Sequence, residues 1–255
     1  MAENAPAKNT SIGISVPLSR ATAGSVVITN AEGSIKANDA RFPLDISEIK
    51  LERSGDDLKV TLPVHKHGAV TYTPVERLSD IKGEGNYYLV QDSTMTGSLT
   101  IAADTTVNIC LNGHKNAATN IVNNGTLTIT DCKHASTNPG YLTSGSGDAI
   151  TNNADAKLTL DSMTAREAKG NIVNAKGDST VILKNSIFAE NGGSALYVNG
   201  ATATVTNCTF EKNGGRAIYA DYHYKYDSAS ITVTGSTFTG NSTMSSDRGG
   251  GAIYC

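Results

Sequence analysis

Short segments in which an aliphatic residue alternates with threonine recur along most of the chain. Clear examples are Leu127-Thr128-Ile129, Leu158-Thr159-Leu160 and Ile231-Thr232-Val233. Alternation with a period of two predicts β-strands that bury one face. Aligned with one another, the segments predict three inward columns that are apolar in every repeat. These columns are Ile121, Ile150, Ile172, Leu196, Ile218 and Ile253, then Leu127, Leu158, Val181, Ala203 and Ile231, and finally Ile129, Leu160, Leu183, Val205 and Val233.

A longer unit recurs three times in the last quarter of the chain: Phe-x-x-Asn followed by Gly-Gly-x-Ala-aliphatic-Tyr. The first two copies begin 22 residues apart and the next two begin 28 apart. A fixed period of this kind predicts a solenoid, here a three-sided parallel β-helix in which neighbouring coils bury one another's apolar side chains. We expect the glycines to permit corner backbone angles that other residues resist, and the asparagines to form a hydrogen-bonded ladder. The predicted fold-making residues are Phe188, Asn191, Gly192, Gly193, Phe210, Asn213, Gly214, Gly215, Phe238, Asn241, Gly250 and Gly251.

These motifs resemble those of known surface proteins. Phe-x-x-Asn paired with Gly-Gly-x-Ala-Ile resembles the repeat pair of the polymorphic outer-membrane protein family of autotransporters, which are β-helical adhesins. Upstream, the stretches 87–101, 107–114 and 124–132 resemble right-handed β-helix regions of large bacterial surface proteins. The resemblance covers about residues 83–255, and it implies a right-handed β-helix that serves adhesion. Because fold alone does not decide function, carbohydrate-active β-helix enzymes remain an alternative.

The fold class is therefore predicted to be all-β, with three regions. Residues 1–23 are expected to form a flexible tail or linker, and residues 24–82 a small β module or N-terminal cap with a hairpin turn at 54–57. Residues 83–255 are expected to form the right-handed parallel β-helix. Because Cys255 falls in the middle of a repeat, we expect a larger parent protein, with this β-helix truncated at its C-terminal end.

Composition restricts the partners that we expect. Charged residues make up 18% of the chain, and the net charge is -3 without a basic run. The chain therefore lacks the clustered positive charge by which proteins bind nucleic acid. No apolar stretch reaches the roughly 18 residues that a membrane-spanning helix needs. The N-terminus also lacks the apolar segment of a signal peptide.

A tyrosine-rich insertion between the second and third repeats is the candidate ligand-binding segment. Aromatic faces with polar tips suit sugars or proteins, and loops inserted into solenoids often carry the contact surface. The structural alternative is a loop folded against the wall of the β-helix. The candidate ligand-binding residues are Tyr219, Tyr222, His223, Tyr224 and Tyr226.

Catalysis has weaker support in the sequence. A lyase needs a cluster of calcium-binding carboxylates beside a cationic base, and a glycosidase needs two carboxylates that face each other. Solvated surface charges explain the available residues better, so no catalytic residue is assigned and enzyme activity is left open. Those available residues are Asp131, Asp148, Asp155, Asp161, Arg166 and Lys169.

Metal and disulfide chemistry also have little support. His65 and His67 lie on one side of a possible strand, but two ligands fall short of a closed zinc shell, so neither a metal nor a cofactor is predicted. Cys132 and Cys208 are separated by intervening coils, too far for a disulfide. We expect the cysteines to be buried thiols.

We therefore expect an extracellular, bacterial cell-surface adhesion or display segment. A β-helical stalk would carry loops that contact a host or environmental glycan or protein. The sequence leaves open the ligand, the anchoring of the parent protein and the role of the N-terminal module.

Overall fold

A computed structural model describes residues 25–28, 50–54, 57–61, 65–221, 229–242 and 251–255, with only the backbone for the first three ranges. It divides into two compact units, Met1–Pro74 and Val75–Cys255. The predicted boundaries at residues 23 and 82 stay predictions.

The first unit contains short antiparallel strands. β1 pairs with β3, and β3 pairs with β2 through a hairpin in which Ser54 lies opposite Asp57. β4 and β5 form a second antiparallel pair. The predicted small antiparallel module is therefore confirmed. The strands are β1 (Ser25–Ile28), β2 (Lys50–Ser54), β3 (Asp57–Thr61), β4 (Lys66–His67) and β5 (Val70–Thr71).

The second unit is a parallel β-helix in which successive coils add strands to three parallel sheets. A 3-10 turn, Leu78–Asp80, precedes the regular coils. The first sheet comprises β6 (Thr73–Val75), β7 (Gly85–Leu89), β10 (Thr106–Cys110), β13 (Thr126–Thr130), β16 (Lys157–Asp161), β19 (Thr180–Lys184), β22 (Thr202–Thr206) and β25 (Ser230–Thr234). The second sheet comprises β8 (Ser93–Thr94), β11 (Lys115–Ala117), β14 (Tyr141–Leu142), β17 (Thr164–Arg166), β20 (Ile187–Ala189), β23 (Thr209–Glu211) and β26 (Thr237–Thr239). The third sheet comprises β9 (Leu99–Ile101), β12 (Ile121–Asn123), β15 (Ile150–Asn152), β18 (Val173–Lys176), β21 (Leu196–Asn199), β24 (Ile218–Asp221) and β27 (Ile253–Tyr254).

The core lies inside the coils, where the inward residues of each strand stack on those of the next coil. The two predicted columns that run through the first sheet, those beginning at Leu127 and Ile129, are confirmed residue by residue. The column through the third sheet was wrong at one position, because Ile150 pairs with Val173 rather than with Ile172. Both Ile172 and Val173 are fully buried at the corner, so apolar character alone could not distinguish them.

Two ladders run up the interior beside the second sheet. The rings of Phe188, Phe210 and Phe238 stack with centroids 5.2 and 4.9 Å apart. The side-chain amide of Asn191 donates to that of Asn213 at 2.8 Å, and Asn213 donates to Asn241 at 2.8 Å. Each buried amide thus finds a partner in the next coil, as burial of a polar group requires.

The paired glycines serve a different purpose from the one predicted. Among the described glycines of the repeat, none has a positive φ, and Gly250 lies outside the described residues. Close approach of backbones explains them instead: a Cβ on Gly192 would lie 2.7 Å from the carbonyl oxygen of Lys169, and one on Gly214 would lie 2.8 Å from that of Gly192. The left-handed conformation occurs elsewhere, at residues such as Asn185 (φ 51) and Asn207 (φ 53).

Candidate functional site

A row of tyrosines follows the outer face of the third sheet. Along β21 and β24 the residues alternate between buried and partly exposed, so Leu196 and Ile218 point inward while Tyr197 and Tyr219 point outward. Parallel pairing places Tyr197, Tyr219 and Tyr254 at the same position in three successive coils. The ring centroids are 5.2 and 5.4 Å apart, and the planes are inclined at 55° and 65°. We call these three residues the tyrosine row.

A buried cation lies over two rings of the tyrosine row. Arg216 is only 1% exposed, and its guanidinium carbon lies 4.6 Å from the centroid of the Tyr219 ring and 4.1 Å from that of Tyr254. A guanidinium within about 6 Å of an aromatic ring is attracted to it, and more strongly where water is excluded. Arg216 therefore fixes the orientation of two rings of the row.

Acidic and amide groups border the row. The hydroxyl of Tyr197 donates a 2.7 Å hydrogen bond to Oδ2 of Asp221. Burial and this hydrogen bond, together with the negative charge of Asp221, raise the pKa of Tyr197 well above its ordinary value. The phenol of Tyr197 therefore stays protonated at physiological pH, and the hydrogen bond to Asp221 holds its side chain in place. Lower on the same face, Asp148 accepts hydrogen bonds from the side-chain amides of Asn171 at 2.9 Å and Asn174 at 2.7 Å.

This arrangement suits ligands that have flat apolar faces and a polar rim. Aromatic rings provide a large contact area at a low cost in side-chain entropy, and their hydroxyls bind polar groups. Sugar rings have such a shape, because their C–H faces are apolar and their edges carry hydroxyls. A row that repeats once per coil presents a series of similar contacts, which matches a polymeric ligand.

The predicted ligand-binding residues divide into two groups. Tyr219 is the central member of the tyrosine row, while Tyr222, His223, Tyr224 and Tyr226 lie outside the described residues. Sequence reasoning missed Tyr197 and Tyr254 because it treated the repeated tyrosine as part of the fold motif. The signal was present: each of these tyrosines follows a residue of an inward aliphatic column, so alternation directs it outward.

The acidic residues considered for catalysis hold the corners together. Asp131 is buried and accepts backbone N–H groups of Gly113 at 2.7 Å, Lys133 at 3.1 Å and Gly140 at 2.7 Å. Asp161 lies 3.2 Å from the ammonium group of Lys184. Burial opposes the charge of Asp161, but hydrogen bonds from Asn185, Lys184 and Ser162 together lower its pKa.

Other residues of that set make contacts of their own. Asp155 occupies a turn with φ 63, and Arg166 stacks on the ring of Tyr141 at 4.0 Å. The backbone N–H of Lys169 donates to Ser144. None of these contacts joins two of the considered carboxylates.

The histidine pair lies close together, and the cysteines differ from what the sequence suggested. Within the first unit, the Nε2 atoms of His65 and His67 are 3.0 Å apart. The expectation that the cysteines are all buried was wrong. Cys110 and Cys208 are buried, whereas Cys132 and Cys255 are exposed.

Comparison with known proteins yields one match. Residues 85–255 match the family model described as a right-handed beta helix region. No curated protein and no solved structure matches the chain. In the part of the chain that the structure describes, no helix has the length and apolar character needed to cross a bilayer.

Proposed function

Since the chain belongs to the family of right-handed β-helix regions, we propose that it is an adhesion or display segment of a bacterial cell-surface protein. The β-helix acts as a stiff support, and the third sheet presents the contact surface to a glycan outside the cell. The observation that carries this proposal is the tyrosine row, three outward rings in successive coils. The finer assignment to the polymorphic outer-membrane protein family is part of the same proposal and rests on the repeat motifs.

The rigidity of the row favours binding over a purely structural role. The rings of Tyr219 and Tyr254 lie over Arg216, and Tyr197 is held by Asp221. A preorganised aromatic surface loses little conformational freedom when it binds a ligand. A solvated β-helix face needs no aromatic residues for its stability, as the outer face of the first sheet illustrates with Thr204 and Thr232 at equivalent positions.

The neighbouring insertion extends the proposed contact surface. Tyr222, Tyr224 and Tyr226 follow Asp221 directly in the chain, where β24 ends. We include these residues in the contact surface because of their composition and this position in sequence. The host or environmental glycan would then contact both the row and the insertion.

The proposal is tested by retardation of the purified chain in gels that contain plant, microbial or mucin polysaccharides. Replacing Tyr219 by Ala is expected to weaken binding to the retarding polysaccharide by about tenfold, because a well-packed aromatic contact contributes on the order of 1 kcal/mol beyond its buried area. Tyr197→Phe keeps the ring and removes only the hydrogen bond to Asp221, so it is expected to cost less. Thr204→Ala, exposed on the first sheet, is the matched control.

Three results would count against the proposal in different ways. Equal retardation of Tyr219→Ala and of the Thr204→Ala control would remove the tyrosine row from the binding surface. Replacing Tyr222, Tyr224 and Tyr226 together by Ala separates the two parts of the surface, since loss of binding in that variant alone would assign it to the insertion. No retardation by any polysaccharide would favour a protein partner.

The alternative, a carbohydrate-active enzyme, has less support because the carboxylates already have partners within the chain. Asp131 accepts backbone N–H groups, Asp161 pairs with a lysine, and Asp148 accepts hydrogen bonds from two asparagines. We expect no new reducing ends when the chain is incubated with the same polysaccharides, with or without calcium. Release of reducing ends that is abolished by Asp161→Asn or Asp221→Asn, in variants that fold normally, would replace adhesion by catalysis.

A further inference from the structure

Two cysteines of successive coils meet at the corner that follows the first sheet. Cys110 is the last residue of β10 and pairs with Thr130, the last residue of β13. Cys132 follows Thr130 by two residues, at the start of the next corner. The two sulfur atoms lie within 4.8 Å of each other. The sequence separation of 22 residues exceeds by two the 20 residues that separate the paired residues Cys110 and Thr130.

The two thiols differ in their access to solvent. Cys110 is fully buried, whereas Cys132 is exposed. A hydrogen bond from the thiol of Cys110 lowers the pKa of Cys132, and nearby Lys133 acts in the same direction, while burial and Asp131 oppose this. The sulfur of Cys132 also lies 3.6 Å from Oδ1 of Asn112. Reactive cysteines are typically exposed thiols of lowered pKa, with a second thiol beside them.

The geometry points to a redox pair in which Cys110 and Cys132 form a disulfide between successive coils. Disulfide formation requires that the sulfurs approach to about 2 Å, with Cα atoms within about 7 Å. The sulfurs already lie within 4.8 Å of each other, and rotation of the exposed Cys132 side chain supplies the remaining approach. Cys208 is buried near Ser186 and Thr206 and takes no part.

The oxidant is a low-molecular-weight disulfide, and the reaction is an ordinary thiol–disulfide exchange. The thiolate of Cys132 attacks one sulfur of the oxidant, forms a mixed disulfide and releases one thiolate. The sulfur of Cys110 then attacks the sulfur of Cys132, forms the Cys110–Cys132 bond and releases the second thiolate. Both cysteine protons pass to the released thiolates, so two protein thiols are oxidised while one oxidant disulfide is reduced to two thiols.

The bond would join the coil that contains β10 to the coil that contains β13. These coils otherwise adhere through strand pairing and core contacts. A covalent link at this corner therefore resists separation of the two coils, and it depends on the redox state of the surroundings. This inference does not rest on the proposed adhesion.

The test uses the whole chain with Cys255→Ser, which removes the other exposed thiol. The folded protein is incubated with oxidised glutathione, its remaining thiols are counted, and its disulfides are located by mass spectrometry of proteolytic peptides. We expect the loss of two thiols per chain and one linked peptide pair containing Cys110 and Cys132. Adding Cys208→Ser is the matched control and is expected to leave this linkage unchanged.

Removal of either partner tests the order of the two steps. With Cys110→Ala, Cys132 is expected to stop at a persistent mixed disulfide with glutathione. With Cys132→Ser, oxidation is expected to fail. In the Cys255→Ser chain itself, a persistent mixed disulfide at Cys132 with Cys110 still a thiol, or no reaction at either cysteine, would overturn the inference. Because that measurement needs no substitution at the pair, it is decisive even if a variant folds poorly.

Discussion

The phenylalanine ladder allows a quantitative test of how this solenoid is stabilised. Phe210 is fully buried, and its ring stacks on Phe188 at 5.2 Å and 14° and on Phe238 at 4.9 Å and 3°. Phe238 is only partly buried and, among the described residues, stacks on Phe210 alone. Substitution by Ala at these two positions therefore removes the same atoms from environments with different packing.

The expected loss in the free energy of unfolding depends on how deeply each ring is buried and on how many rings stack against it. Phe→Ala in a core costs about 3–5 kcal/mol, because apolar contacts are lost and a cavity remains. We expect Phe210→Ala to lie near the top of that range, about 4–5 kcal/mol, since rings on both sides lose a partner and each aromatic pair contributes about 0.5–1.5 kcal/mol. Phe238→Ala loses one such pair and less buried area, so it is expected to lower the free energy of unfolding by about 2 kcal/mol.

The assay is urea unfolding followed by far-ultraviolet circular dichroism. Phe210→Leu is the comparison variant: it leaves a smaller cavity than Ala but loses both aromatic pairs, so it is expected to cost about 1–3 kcal/mol. If Phe210→Ala proves no more destabilising than Phe238→Ala, the argument from stacking and burial is refuted. A cost of Phe210→Leu equal to that of Phe210→Ala would likewise show that cavity volume does not set the loss.

Three further predictions concern single features of the coils. Gly192→Ala should lower the free energy of unfolding by about 1–3 kcal/mol, because the added Cβ meets backbone atoms. Gly145→Ala is the control and should change it little, since its Cβ would lie 3.5 Å from the nearest atom. Equal losses in urea unfolding would contradict the close-approach explanation. The pKa of Asp161 is lowered in the folded state, so its charge stabilises the fold above the carboxyl's unfolded pKa of about 3.9, and this contribution is lost as the pH falls through the folded pKa. In Asp161→Asn, the free energy of unfolding should therefore depend less on pH in acid. An unchanged dependence would refute this prediction. Oxidation of Cys110 and Cys132 should raise the free energy of unfolding by about 3 kcal/mol, the value for a closed loop of roughly 22 residues, and no difference between oxidised and reduced protein in urea would contradict it.

Much of the candidate site was open to sequence reasoning, yet only one of its residues was identified. Tyr197, Tyr219 and Tyr254 occupy the same position of the repeat, and the alternation that directs Leu196 inward directs Tyr197 outward. Their spacing, the position of Arg216 over two rings and the hydrogen bond from Tyr197 to Asp221 depend on which coils are neighbours. Cys132 illustrates the same difficulty, since its reactive neighbour Cys110 lies one coil back rather than at the matching repeat position.

The sequence by itself determined the period of the coils, the strands of the first sheet and the apolar columns within it. The inward residues of these first-sheet strands are apolar in successive coils, and this pattern is visible without coordinates. Only the tertiary structure decided that Val173 rather than Ile172 continues the third column, that the paired glycines allow close backbones rather than unusual angles, and that the tyrosines form one surface. These features depend on distances between residues about one coil apart in sequence, and the axial stacking of the coils sets those distances.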